Sequence, residues 1–184
     1  MTITFRPLNQ RDINYSKVIE LFFDAFPNVQ RLPTWVVKYR MRNGKNGFDV
    51  IYDHNKWVGF LYTKEYKKIV CVKFFAISES LRSTGYGSKV MDAMNEKYSD
   101  KRIVLTIEEL DEKKENYQQR VKRKAFYEKN GFSSTGFILR EPAERQEVLI
   151  RGGTISQEEI EAMYKHFLGN SLFSLLKIEV LKIE

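Results

Sequence analysis

The segment that most constrains this 184-residue chain is Arg82 to Gly87, R-S-T-G-Y-G, which lies where a strand pattern gives way to a helix pattern. Just upstream, Ile69 to Ile77 reads I-V-C-V-K-F-F-A-I, a short run rich in β-branched and aromatic residues that suits a buried strand. Downstream, Val90, Met91, Met94 and Tyr98 recur at helical spacing, so 88–98 reads as an amphipathic helix. Strand, glycine turn and helix in that order aim unpaired backbone amides and the positive end of a helix dipole at one point, which favours phosphate. Gly85 and Gly87 permit positive φ and a ligand approach with no Cβ in the way, while Arg82 adds charge at the rim. The alternative is a plain strand-to-helix turn that needs glycine for geometry alone.

Before that segment, Ile3 to Pro7 reads as a strand. Tyr15, Val18, Ile19, Phe22, Phe23 and Phe26 then follow helical spacing, with Asp12 or Asn14 as cap and Pro27 as stop. Pro33 to Arg42 reads as a second helix ended by Asn43-Gly44. Phe48 to Tyr52 and Trp57 to Thr63 are strands joined by the polar turn Asp53-His54-Asn55-Lys56, an antiparallel hairpin pattern, and a turn around Tyr66-Lys67-Lys68 leads on to Ile69.

After it, Arg102 to Ile107 is a buried strand, expected parallel to Ile69–Ile77 through the helical crossover. Its exit is acidic (Glu108, Glu109, Asp111, Glu112, Glu115), and a helix over 114–130 follows. That helix has Tyr117, Val121 and Ala125 on one face and Arg120, Lys122, Arg123 and Lys124 largely off it. Gly131 suits a left-handed cap. Gly136 to Arg140 and Glu147 to Arg151 suit a closing hairpin, and Ser156 with Glu159 forms a capping box for a helix to Leu168. The predicted fold is mixed α/β: a central sheet of about seven strands with flanking helices, in one domain over 1–168. The extension 169–184 has mixed periodicity and three readings: it packs on the domain, adds an edge strand to a partner (a homodimer included), or is vector-derived.

Composition narrows the class. A hydrophobic share of 42%, with 14% aromatic, supports a packed core. The apolar runs are too short to span a bilayer and M-T-I-T-F-R-P-L lacks a signal-peptide core, so a cytoplasmic location with no membrane partner is expected. One cysteine and two histidines exclude an internal disulfide and argue against a metal site; Cys71, inside a strand pattern, reads as a small buried hydrophobe. The net charge of +7 suits nucleic acid or a small polyanion such as coenzyme A, and no zinc-finger or RNP-type motif accompanies it.

The spacing R-x-x-G-x-G resembles the acyl-CoA-binding motif of the GNAT acetyltransferase superfamily, and F-F-A-I-S-E-S-L before it looks like that family's fourth strand and bulged exit. It is neither the three-glycine Rossmann fingerprint nor a Walker A loop, which ends in Gly-Lys-Ser/Thr. Some 40 residues on, past an intervening strand, Phe126 to Phe132, F-Y-E-K-N-G-F, is similar to the GNAT helix whose tyrosine faces the thioester sulfur. The family pattern covers about residues 2–151.

The resemblance implies an N-acetyltransferase that moves an acetyl group from acetyl-CoA directly to a primary amine, without a covalent enzyme intermediate. It implies that backbone groups of Phe75, Ala76 and Ile77 hold the pantetheine and thioester. Arg82 and the amides of Ser83, Thr84, Gly85, Tyr86, Gly87 and Ser88 hold the pyrophosphate. Tyr127 protonates the departing thiolate; a free tyrosine, with pKa about 10, is close to a thiol in acidity. The asparagine common seven residues before that tyrosine is replaced by Arg120, with Asn116 one turn earlier, so both are candidate cofactor contacts. Family positions for a base hold Thr106 and Cys71, so none is inherited. Glu108, two residues beyond Thr106 on the same strand face, is the candidate base, with Glu65 behind it. The alternative is that Glu108 and Glu109 are solvated or attract a cationic acceptor while water removes the proton. The acceptor stays open among side-chain lysine, protein amino terminus, polyamine, aminoglycoside and amino acid, with specificity in the Phe26–Phe48 segment and the late hairpin. Two rival functions are a non-catalytic acyl-CoA sensor and an RNA-binding protein using the basic helix Arg120–Lys124.

Overall fold

In the computed structural model, which describes residues 2–26, 47–142 and 144–183, the sheet begins with a meander. β1 (Ile3–Pro7) pairs antiparallel with β2 (Phe48–Asp53), and β2 with β3 (Lys56–Tyr66). His54, in the turn between β2 and β3, sits at φ 56°, the left-handed region that tight hairpin turns require. β4 (Ile69–Ile77) follows. Next come a 3₁₀ turn at Glu79–Leu81, α2 (Tyr86–Lys97), β5 (Arg102–Glu108), α3 (Tyr117–Lys129), β6 (Ser133–Arg140) and β7 (Arg145–Arg151). α4 (Gln157–Leu168), α5 (Asn170–Leu175) and β8 (Glu179–Lys182) end the chain, and α1 (Tyr15–Ala25) lies between β1 and β2. The strands form one eight-stranded mixed sheet in the order β1-β2-β3-β4-β5-β7-β6-β8, the expected mixed α/β architecture with one strand more than expected. The amide of Arg102, opening β5, donates to the carbonyl of Lys68, just before β4, so these two neighbours start side by side as a parallel pair does (2.9 Å). The expected helix over 33–42 lies outside the described residues. No helix among the described residues is long and apolar enough to cross a membrane.

The chain divides into two compact units, one of Met1–Lys64 with Val72–Lys97, the other of Glu65–Cys71 with Tyr98–Glu184. In the first, Val18, Leu21 and Phe22 of α1 are buried against β2, β3 and the end of β4. Aromatic rings dominate this core: Phe22 meets Phe74 edge-on at 5.0 Å, and Phe48 stacks on Tyr62 at 4.0 Å. Asn14, one of the two expected caps, does hold the N-cap position of α1, its carbonyl accepting the Val18 amide (2.9 Å), but its side chain makes no capping bond. Asp12 accepts the amide of Asn14 (2.8 Å), and the Asn14 side chain donates to the Tyr52 hydroxyl (2.9 Å), so the helix start is tied to β2 instead.

In the second unit, Ile160, Met163 and Tyr164 of α4 pack with Cys71, Val104, Leu139 and Val148. The capping box is present, with the Glu159 amide donating to Ser156 Oγ and the Ser156 amide to Glu159, both at 3.2 Å. Phe173, Ile178 and Val180, all from the stretch after residue 168, are buried in this same core, and β8 pairs antiparallel with β6 from Phe137↔Lys182 to Arg140↔Glu179. α3 departs from expectation in two ways. It starts at Tyr117 because 111–117 close as successive turns (Lys114 amide to Asp111 carbonyl, Tyr117 amide to Lys114 carbonyl), and its buried residue is Arg120 rather than Val121 or Ala125.

Gly59 in β3 fixes how close β4 runs. A Cβ there would lie 2.1 Å from the Ala76 carbonyl oxygen, so only glycine lets β3 meet the backbone where β4 ends. Gly59→Ala should therefore force backbone movement at Ala76–Ile77 and cost about 1–3 kcal/mol, read as a lower urea midpoint with unchanged slope. An unaltered midpoint would show that the contact is not needed.

Candidate active site

β4 ends in Phe75, Ala76 and Ile77, and the chain then turns through Glu79–Leu81 into R-S-T-G-Y-G. Two residues of the turn take left-handed backbone, Ser83 at φ 61° and Gly85 at φ 88°. For serine that conformation is strained, and such strain gathers at ligand sites. Arg82 Nε donates to the Ile77 carbonyl (3.2 Å) and Thr84 Oγ1 to the Leu81 carbonyl (2.7 Å), tying the turn to the strand end. Among the described residues, the amides of Ser83 to Ser88 make no close hydrogen bond, only the looser contacts of the turn over 82–85, while the next amide, Lys89, bonds the Gly85 carbonyl (3.3 Å). A Cβ on Gly85 would meet nothing within 4 Å. The turn thus presents a run of open donors, a bare glycine and the first turn of a twelve-residue helix, the features a pyrophosphate needs.

A buried carboxylate holds this turn in place. Tyr86, the first residue of α2, donates its hydroxyl to Asp53 Oδ2 (3.0 Å), and Asp53 Oδ1 takes the Thr2 amide (3.1 Å) and contacts His54 Nδ1 (2.9 Å). Burial works against ionising Asp53, yet the contacts from His54, Tyr86 and Thr2 hold its carboxyl below the usual range. The same bond pushes the Tyr86 hydroxyl up. The ammonium groups of Lys56 and Lys89 lie 5.6 and 5.2 Å from the Tyr86 ring, which adds positive charge beside the turn. Neither Asp53 nor Gly59 stood out in the sequence. The acid sits in an ordinary polar turn and the glycine in an ordinary strand.

The second unit holds the other predicted residues. Tyr127 lies in the last turns of α3, and the rest of F-Y-E-K-N-G-F fixes it there. Asn130 Nδ2 donates to the Phe126 carbonyl (2.6 Å), Gly131 takes φ 82°, the Phe132 amide returns to the Tyr127 carbonyl (3.1 Å), and the Phe126 and Phe132 rings pack on the tyrosine at 5.1 and 5.7 Å. Burial pushes the Tyr127 hydroxyl up to about 12, with the positive charge of Arg123 acting in the opposite direction.

Glu108 ends β5 and is ion-paired with Arg123; it also accepts from Asn116 Nδ2 (3.3 Å). Asn116 Oδ1 in turn accepts from Arg120 Nε (2.8 Å). The remaining donors of Arg120 reach the Glu109 carbonyl (2.8 Å) and Glu144 (2.6 Å), and Arg120 is only 6% exposed. As placed, Asn116 and Arg120 are internal struts of one polar chain. Thr106 donates to Gln146 (2.5 Å), Glu65 pairs with Lys101 (2.5 Å), and Cys71 is buried. The basic run is not an open stripe, since Arg120, Arg123 and Lys124 pair with Glu144, Glu108 and Glu147 in turn.

Residues 44–134 match a family model described as an acetyltransferase (GNAT) domain. No curated protein sequence matches the chain significantly. Among solved structures, a GNAT-family protein from Bacteroides thetaiotaomicron is similar at 21% identity, covering 90% of this chain and 95% of its own, with a TM-score of 0.68. An aminoglycoside 6'-N-acetyltransferase complexed with coenzyme A is similar at 14% identity (82% and 96% covered, TM-score 0.59). A PaiA N-acetyltransferase from Thermoplasma acidophilum, also in complex with coenzyme A, is similar at 11% (83% and 100%, TM-score 0.58). At these identities the structures speak for the fold, and the sequence match spans the strand, glycine turn and tyrosine helix described above. Residues 44–134 thus carry a GNAT acetyltransferase domain, within a chain that has the GNAT fold.

Proposed function

We propose that the protein is an N-acetyltransferase that moves the acetyl group of acetyl-CoA to a primary amine. The observation that carries this reading is the run of open amides from Ser83 to Ser88 around the bare Gly85, held by Asp53 through Tyr86. Those amides, with Arg82 at the rim, take the pyrophosphate, and Phe75, Ala76 and Ile77 offer backbone groups to the pantetheine arm. Tyr127 donates a proton to the departing thiolate. With its hydroxyl titrating near 12 it keeps that proton throughout the neutral range, although it is then a weaker acid than a free thiol at about 8.5. Asn116 and Arg120 serve the polar chain around Glu108 rather than the cofactor. A non-catalytic acyl-CoA sensor would share the turn but not depend on Tyr127. The RNA-binding reading loses its footing where Arg120, Arg123 and Lys124 are paired.

Acetyl-CoA should raise the melting temperature, because a ligand that binds only the folded state adds about 2.7 kcal/mol at a hundredfold excess over Kd. Gly85→Val should abolish that rise while the variant still folds; a full rise in the variant would remove the cradle assignment. Tyr127→Phe should retain acetyl-CoA binding and lose roughly 100- to 10,000-fold in kcat with a reactive amine, where chemistry limits the rate. Because the hydroxyl deprotonates only as pH passes about 12, any basic limb below about pH 10 should persist unchanged in Tyr127→Phe. Wild-type turnover in that variant would favour the sensor or a water as donor.

A further inference from the structure

Arg123 and Tyr127 stand four residues apart on α3, one turn on the same face of the helix. Arg123 is 42% exposed, and a long side chain that exposed would ordinarily sample many rotamers. Here it is held. Glu108 at the end of β5 pairs with its guanidinium, and Glu108 is itself fixed by Asn116, which is fixed by Arg120, whose other donors grip the Glu109 carbonyl and Glu144. Two neighbouring cations of α3 are turned to β7 and the approach to it, Arg120 to Glu144 and Lys124 to Glu147. The charge of Arg123 thus lies on the face that carries the phenol, and a carboxylate is committed to keeping it there.

Resting on the proposed role of Tyr127, we infer that Glu108 is not the base of this enzyme but a positioning residue, which clamps Arg123 so that its fixed positive charge assists proton delivery from Tyr127 to the leaving thiolate. In that step the amine nitrogen forms the new bond to the acetyl carbon, the carbon–sulfur bond breaks and its electron pair goes to sulfur. The sulfur takes the Tyr127 proton, the attacking nitrogen loses its own proton to water, and solvent later reprotonates the phenol. Negative charge passes from sulfur to phenolate oxygen, and a nearby guanidinium stabilises it in both places. The pull of Arg123 on the Tyr127 hydroxyl, opposite to that of burial, agrees with this role.

The inference is tested by combining Arg123→Gln, Arg123→Lys and Glu108→Gln with Tyr127→Phe, at saturating acetyl-CoA and a reactive amine. In parallel, the titration of a ring-fluorinated tyrosine placed at position 127, acidic enough to ionise while the protein is folded, is followed by ¹⁹F NMR. Arg123→Gln should lower kcat roughly three- to tenfold when Tyr127 is present and less than about twofold in Tyr127→Phe, and should raise the phenol's titration point by about one unit. Arg123→Lys should retain most of the rate, and Glu108→Gln should reproduce Arg123→Gln in milder form without moving the acidic limb of the pH–rate profile. Equal losses in both backgrounds with an unmoved ¹⁹F titration, or an acidic limb displaced by Glu108→Gln, would overturn the inference while leaving Tyr127 as the donor. Wild-type turnover in Tyr127→Phe would instead remove the reading on which it rests.

Discussion

A buried carboxylate governs the glycine turn of this molecule. Asp53 gains its place by ending β2 and keeps it because Tyr86, Thr2 and His54 all turn toward it. A carboxylate out of water is tolerated only when such partners surround it. The consequence is mechanical: α2 must begin where the Tyr86 hydroxyl can reach Asp53, so the glycine turn before it has little freedom. The Arg82 bond to Ile77 and the Gly59 contact with Ala76 constrain the other side of the turn. Open amides at a helix start are useful to an anion only if they are aimed in advance, since ordering them during binding would consume affinity.

Much of this was legible in the sequence because local signals agreed with one another. β1, β4 and α4 match their expected spans, each bounded by a clear stop: Pro7, the Ser78–Gly85 exit, and the capping box with Gly169. Long-range pairing left no comparable trace. The mixed period of 169–184 hid a short helix and a strand that take meaning only beside β6 and the core of the second unit. Asp53 and Gly59 were silent for the same reason, since their importance lies in which distant backbone or hydroxyl they meet. Within α3 the misjudged face has a physical cause: Arg120 is buried because it has partners on three sides, a condition no periodicity rule anticipates for a cation.

Charge teaches a related lesson. The net +7 and the run from Arg120 to Lys124 invite a polyanion, yet three cations of that run meet their own carboxylates. What a sequence offers as one basic stripe, the fold distributes over the ends of β5 and β7. Positive charge gathers instead around the glycine turn, where Arg82, Lys56 and Lys89 lie beside the start of α2.

β8 has a consequence for solubility. It covers the outer edge of β6 with four residues, opening and closing on the charged Glu179 and Lys182, and Arg140 of β6 pairs with Glu179. A sheet that ended at β6 would offer the longer apolar edge of Phe137, Ile138 and Leu139 to any extended chain nearby. A short strand with charge at each end is a poor template for further pairing. The segment that carries no family motif is therefore the one that stops the sheet from growing.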